Sequence, residues 1–131
     1  MLCFKGEYSV RFLVVEDEKT LQDIYLSELN LYFEGSTVHL ASNGVEALEL
    51  LSTNSYDLVL TDGRMPEMGG VELAHTLRKS NFKTPIILVS GYTEDMHENS
   101  TRELFTVIKE KPLEFDEFLE EINDLIKERR L

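Results

Sequence analysis

Leu58-Val59-Leu60-Thr61-Asp62-Gly63-Arg64-Met65-Pro66-Glu67-Met68-Gly69-Gly70-Val71 is the stretch whose reading decides the fold. A short apolar run ends on a carboxylate, a loop with Pro and Gly comes next, and helical spacing begins at Val71. This is a buried strand feeding a helix, as in a parallel sheet covered on its faces. Apolar runs of the same kind stand at 10–15, 37–41, 56–61, 85–90 and 105–109, each too short for a core helix. Between them lie segments of helical periodicity. Leu21, Ile24, Tyr25, Leu29 and Phe33 share one face, with Leu26, Leu31 and Tyr32 partly off it and expected on the surface. Val45, Leu48 and Leu51 form a shorter face opened by the turn Asn43-Gly44, and Val71, Ala74, Leu77 and Arg78 suggest a third helix. Phe115, Phe118, Leu119, Ile122, Leu125 and Ile126 mark the cleanest stripe, over about 114–129. Lys127, Arg129 and Arg130 suit the negative end of that helix. The interval 92–104, polar and poor in apolar anchors, predicts only a short or frayed helix. The alternation is (βα)5, an α/β fold with a parallel sheet and helices on both faces.

A chain of 131 residues predicts one domain, 1–131 with a core of about 9–129. The net charge of −12 argues against a nucleic-acid surface, which needs clustered Lys and Arg, and against anionic membranes. Cys3 is the only cysteine, so no intramolecular disulfide can form, and a reducing compartment is the default. Charges at Lys5, Glu7, Arg11, Glu16 and Asp17 leave no signal-peptide core, and no apolar run approaches a membrane span. These features predict a cytoplasmic protein without membrane insertion. No effector segment comes after residue 129, which suits a stand-alone unit or the excised domain of a larger protein.

Chemistry gathers at the strand ends. Glu16 and Asp17 come just after the first strand, Asp62 just after the third, Ser90 ends the fourth, and Lys111-Pro112 stands past the fifth. In an open parallel sheet these ends converge on one crevice. Each residue taken alone has a plainer reading: acids that open a helix, a turn-capping Asp, a capping Ser, a solvated Lys. Converging acids repel unless a cation joins them, and a hard divalent ion or a lysine would serve. An X-Pro bond adopts the cis form at modest cost, which would help aim Lys111 inward. Gly69-Gly70 would permit unusual dihedrals before the third helix.

The set resembles the receiver domain of response regulators, the CheY-like type. The resemblance is carried by Val14-Val15-Glu16-Asp17-Glu18, Ala41-Ser42-Asn43-Gly44-Val45-Glu46-Ala47-Leu48, Thr61 to Gly70, Leu88-Val89-Ser90-Gly91-Tyr92 and Lys111-Pro112-Leu113. It implies a flavodoxin-like doubly wound sheet of order 2-1-3-4-5. It also implies that Asp62 accepts a phosphoryl group from a histidine kinase or histidine phosphotransfer protein. Asp17, Asp62 and the Arg64 backbone carbonyl would bind Mg2+, with Glu16 acting mainly through a metal-bound water. Ser90 and Lys111 would contact the phosphoryl oxygens, and a downstream protein would read the change. Such a protein is a phosphoacceptor and not an enzyme, beyond weak self-catalysed phosphorylation and dephosphorylation.

Several positions depart from the family pattern. Ile108 stands where an aromatic switch residue is usual, and a Gly-Ala pair is missing before Phe105. Ile108 and the short fourth segment favour an alternative, a docking module whose output is atypical or independent of phosphate, while the intact acidic site and Lys111 oppose it. Arg64 and Tyr92 are bulky at the positions that flank the phosphoryl group, which implies slow hydrolysis of the phosphoryl group. His75 in Ala74-His75-Thr76-Leu77-Arg78-Lys79 faintly resembles a phosphotransfer histidine, but it lies in a βα pattern, not a helical bundle. His39 and His97 lack clustered metal-ligand partners and are expected to be structural. A haloacid-dehalogenase-type phosphatase is disfavoured because Lys19, not Asp, stands two residues past Asp17.

Overall fold

The structure is a computed structural model that describes residues 9–91 and 99–130. Its elements alternate: β1 (Arg11–Val15), α1 (Lys19–Tyr32), β2 (Thr37–Ala41), α2 (Gly44–Thr53), β3 (Leu58–Asp62) and α3 (Gly70–Lys79). β4 (Ile86–Ser90), α4 (Asn99–Arg102), β5 (Val107–Glu110) and α5 (Phe115–Arg129) complete them. The five strands form one parallel sheet in the order β2-β1-β3-β4-β5. The alternation is as the apolar runs predict, and the strand order is the one the resemblance implies.

Strand alternation divides the core. Phe12, Val14, Leu58, Leu60, Ile87 and Val89 face Tyr25, Leu29, Phe33, Phe118, Ile122 and Ile126 of the α1 and α5 layer. Leu13, Val15, Val59, Ile86 and Leu88 face Ala47, Leu73, Ala74 and Leu77 of the α2 and α3 layer. Both faces are covered, which is why the inner strands read as unbroken apolar runs.

The register aligns the strand ends. Val15 lies opposite both Ala41 and Thr61, Asp62 opposite Val89, and Ser90 opposite Glu110. At the other pole the Asp57 carboxylate accepts from the Arg11 amide at 2.8 Å and pairs with Arg130 at 3.4 Å. Arg130 also donates to the Ser9 carbonyl at 3.2 Å, closing α5 onto the start of β1. The Arg78 guanidinium donates to the carbonyls of Leu104, Phe82 and Thr84, tying the end of α3 to the chain entering β4 and β5.

Some helix positions differ from expectation. Ile24 and Val45, assigned to buried stripes, are exposed, because each sits at the margin of its helix's core face. Leu31 is exposed as expected, at 79%. Leu26 and Tyr32 are instead half-buried, and the Tyr32 ring lies tilted against Phe33 at 4.8 Å between centroids. His39 is structural, bonding the Tyr56 hydroxyl through Nδ1 at 2.7 Å. Of the weak fourth segment, the described part forms α4, a helix of four residues; Tyr92 and His97 lie outside the described residues.

The glycine pair also needs a different reason. Neither Gly69 nor Gly70 has a positive φ; Glu67 carries that conformation in this loop, at 67°. What Gly70 supplies is closeness, since a Cβ there would collide with the Asp62 carbonyl oxygen. A Cβ on Gly69 would stand 2.6 Å from the Gly63 carbonyl oxygen. The Gly70 amide donates to the Gly63 carbonyl at 2.9 Å, so α3 starts directly under the Asp62 turn.

Candidate functional site

The crevice is assembled from the ends of four strands, β1, β3, β4 and β5. β1 runs straight into Glu16, whose amide still donates to the Ala41 carbonyl of β2 at 2.9 Å. Glu16 is 2% exposed. Its Oε2 accepts from the Glu18 amide at 3.0 Å, while Oε1 is buried and among the described residues has no hydrogen-bond donor. Carboxylate oxygens of Glu16, Asp17 and Asp62 all lie within 4.8 Å of one another. Lys111 enters from the far side of β4. Its Nζ pairs with Asp62 Oδ1 at 2.9 Å and stands 3.9 Å from Glu16 Oε1. The Lys111 amide donates to the Ser90 carbonyl at 3.0 Å, and the Lys111–Pro112 peptide is cis.

The electrostatics reflect this packing. Burial pushes the Glu16 carboxyl up to about 7, against the pull of the Glu18 amide; Asp62 and Asp17 push the same way as burial, and Lys111 opposes them. Burial disfavours the Lys111 charge, but its bond to Asp62 and the charges of Asp62, Glu16 and Glu18 outweigh this and raise its pKa. Burial, then the charges of Glu16 and Asp62, hold the Tyr25 phenol above its usual range. Tyr25 and Lys111 border a groove of about 430 Å³ with Leu21, Pro112, Leu113 and Phe115.

The residues present fit a hard divalent cation. Three convergent carboxylates form an all-oxygen donor set, and the donorless Glu16 Oε1 is a buried acceptor with capacity to spare. The structure thus brings Glu16, Asp17, Asp62 and Lys111 together. Ser90 is fully buried at the end of β4, one residue past the position opposite Asp62. The Arg64 side chain is exposed in the loop two residues beyond Asp62. His75 is exposed on α3 and takes no part in the cluster. The sequence reading missed Gln22. Its carboxamide reaches back six residues to the Glu16 carbonyl, a contact that no motif announces.

The profile of the response regulator receiver domain matches residues 12–123. The chain belongs to the response regulator receiver domain family. This receiver is similar to the Francisella response regulator 1452 receiver domain, with a TM-score of 0.83 at 29% identity over 92% of this chain and 99% of that one. It is also similar to the Thermotoga maritima response regulator TrrA, whose structure is a complex with Mg2+-BeF; the TM-score is 0.79 at 33% identity over 88% and 98% of the two chains. Among curated relatives, the Caulobacter vibrioides cell cycle transcriptional regulator CtrA is 38% identical over 86 residues, covering 65% of this chain and 36% of CtrA. The Bacillus subtilis transcriptional regulatory protein YkoG is 37% identical over 79 residues, 60% of this chain and 34% of that one. The receiver therefore spans about a third of the length of these relatives. Their names as transcriptional regulators narrow the expectation of no nucleic-acid partner. It rests on the acidity of these 131 residues and does not extend to a longer protein that carries them. Among the described residues no helix is long and apolar enough to cross a membrane.

Proposed function

We propose that residues 9–129 act as a single phospho-receiver unit in which Asp62 is the phosphoacceptor. The observation that carries this reading is the 2.9 Å pair between Lys111 Nζ and Asp62 Oδ1 beside two further acids. An Asp62 oxygen forms the new P–O bond as the P–N bond of a partner's phosphohistidine breaks. The imidazole leaves neutral, its other nitrogen carrying the proton. Little covalent chemistry is asked of the protein beyond positioning and charge neutralisation. Lys111 holds Asp62 before transfer and moves with the charge to a phosphoryl oxygen afterwards. The Ser90 hydroxyl donates to a second phosphoryl oxygen.

Asp17, Asp62 and the Arg64 carbonyl would hold Mg2+ directly, and Glu16 chiefly through water. When bound, the ion neutralises charge on the phosphoryl oxygens. Phosphorylation adds roughly −1.5 to −2 charge at the crevice, which would bias binding of a downstream protein. The donor is a histidine kinase or histidine phosphotransfer protein, the compartment is the cytoplasm, and no turnover of an external substrate is proposed beyond slow self-catalysed gain and loss of phosphate. The test is incubation with acetyl phosphate or phosphoramidate and Mg2+, read by intact mass. One phosphoryl group per chain is expected, and none on Asp62→Asn. Equal labelling of the variant, or none of the wild type, would reject the reading.

A further inference from the structure

Among the described residues, hydrogen bonds engage every polar atom of Glu16 except one. Its amide donates to the Ala41 carbonyl, and its Oε2 accepts from the Glu18 amide. The Glu16 carbonyl accepts from Gln22 Nε2 at 2.5 Å. Only Oε1 remains, and it faces Lys111. The Gln22 backbone is anchored as well, since its amide donates to the Glu18 carbonyl at 3.0 Å, the first bond of α1. Because the side chain's acceptor is a carbonyl, the Gln22 nitrogen and not its oxygen must point there.

Gln22 is 8% exposed. A buried carboxamide with one good acceptor fixes what it touches, because swinging away would leave both groups unsatisfied. What it touches is the peptide joining Glu16 to Asp17. The same Nε2 lies 3.4 Å from Ser42 Oγ, at the start of the β2–α2 turn. That turn continues to the acid loop's other neighbour, since the Gly44 amide donates to the Met68 carbonyl at 2.8 Å. A run of contacts therefore joins the loops after β1, β2 and β3.

We propose that Gln22 is a positioning residue for the metal site, its carboxamide locking the Glu16–Asp17 peptide so that both carboxylates converge with Asp62. Groups behind metal ligands commonly tune affinity by 10- to 100-fold. The inference rests on the reading of the three acids as a Mg2+ site.

The test uses the whole chain and titrates Mg2+ alone by calorimetry, with Mn2+ as a paramagnetic check. Gln22→Met removes the donor while keeping an unbranched side chain of similar length; Gln22→Leu is the second donor-free variant if the first does not fold. The expected result is a Kd for Mg2+ raised about tenfold in the donor-free variants. Phosphorylation by acetyl phosphate should recover at saturating Mg2+. Ser42→Ala, which removes only the longer contact, should stay within about twofold of the wild type. Unchanged Mg2+ affinity in the donor-free variants, even with a lowered melting temperature, would overturn the role of Gln22 and leave the metal site standing. An equal loss in Ser42→Ala would overturn it too, shifting the role to the loop–loop tie. Absence of Mg2+ binding by the wild-type protein would instead sink the metal-site reading itself.

Discussion

The inner strands and the outer strand β5 set their functional residues in different surroundings. β1, β3 and β4 are buried along almost their whole length, and β4 at every position. β5 is only half-buried and ends on the exposed Glu110. The inner strands lead to Glu16, Asp62 and Ser90, whereas β5 leads to Lys111 at one edge of the sheet. The anionic side of the crevice is therefore fixed between two covered faces. The cationic side hangs from a strand at the margin, which has packing on fewer sides. A change at Asp62 has less to displace on the Lys111 side than on its own.

That contrast can be broken most sharply at Gly70. Gly70→Ala sets a Cβ against the Asp62 carbonyl, where neighbouring backbone leaves no room to yield. A loss of about 3 kcal/mol is expected in urea unfolding. A loss below about 1 kcal/mol would mean that the acid side of the crevice yields as readily as its margin. A pH test probes the same rigidity. In the metal-free protein Glu16 keeps its proton up to about 7, whereas the unfolded chain releases it near 4.5. The native state then binds more protons across that window, so stability is greatest below it and falls as pH rises through it. The wild type should lose more stability between pH 5 and pH 7.5 than Glu16→Gln does, measured by urea midpoints. Parallel pH profiles would show that Glu16 is more hydrated than its packing implies. The smallest effect is expected at the margin. Ile108 is half-buried against the α2 and α3 layer, so Ile108→Ala should cost about 1 kcal/mol and leave phosphorylation by acetyl phosphate within about twofold. A tenfold slower reaction would show that β5 positions the chemistry as firmly as the inner strands do.

Much of this was legible in the sequence, because parallel-sheet strands announce themselves by unbroken apolar runs that stop at polar residues. The apolar runs alone place Glu16, Asp17, Asp62, Ser90 and Lys111 at strand ends, and topology does the gathering. Periodicity was less able to rank positions within a stripe. Ile24 and Val45 fit the spacing and still face solvent, because a face defined by spacing is wider than the neighbour it meets. The Gly69-Gly70 pair was visible, but its cause was not. Close approach to Gly63 and Asp62 depends on where α3 starts in space, whereas a dihedral requirement is a local property. Gln22 gave no signal at all, since a single amide six residues from its acceptor belongs to no recurring pattern.

The Arg130 contact with Ser9 has a consequence for how freely the chain order can be cut and rejoined. The first and last described residues meet at the pole opposite the acids, where Asp57 binds both Arg11 and Arg130. A short bridge between them would close the backbone into a ring, and the ring could be reopened at any exposed turn on that pole. The order in which the strands are made is thus separable from the order in which they lie, and the crevice depends only on the second.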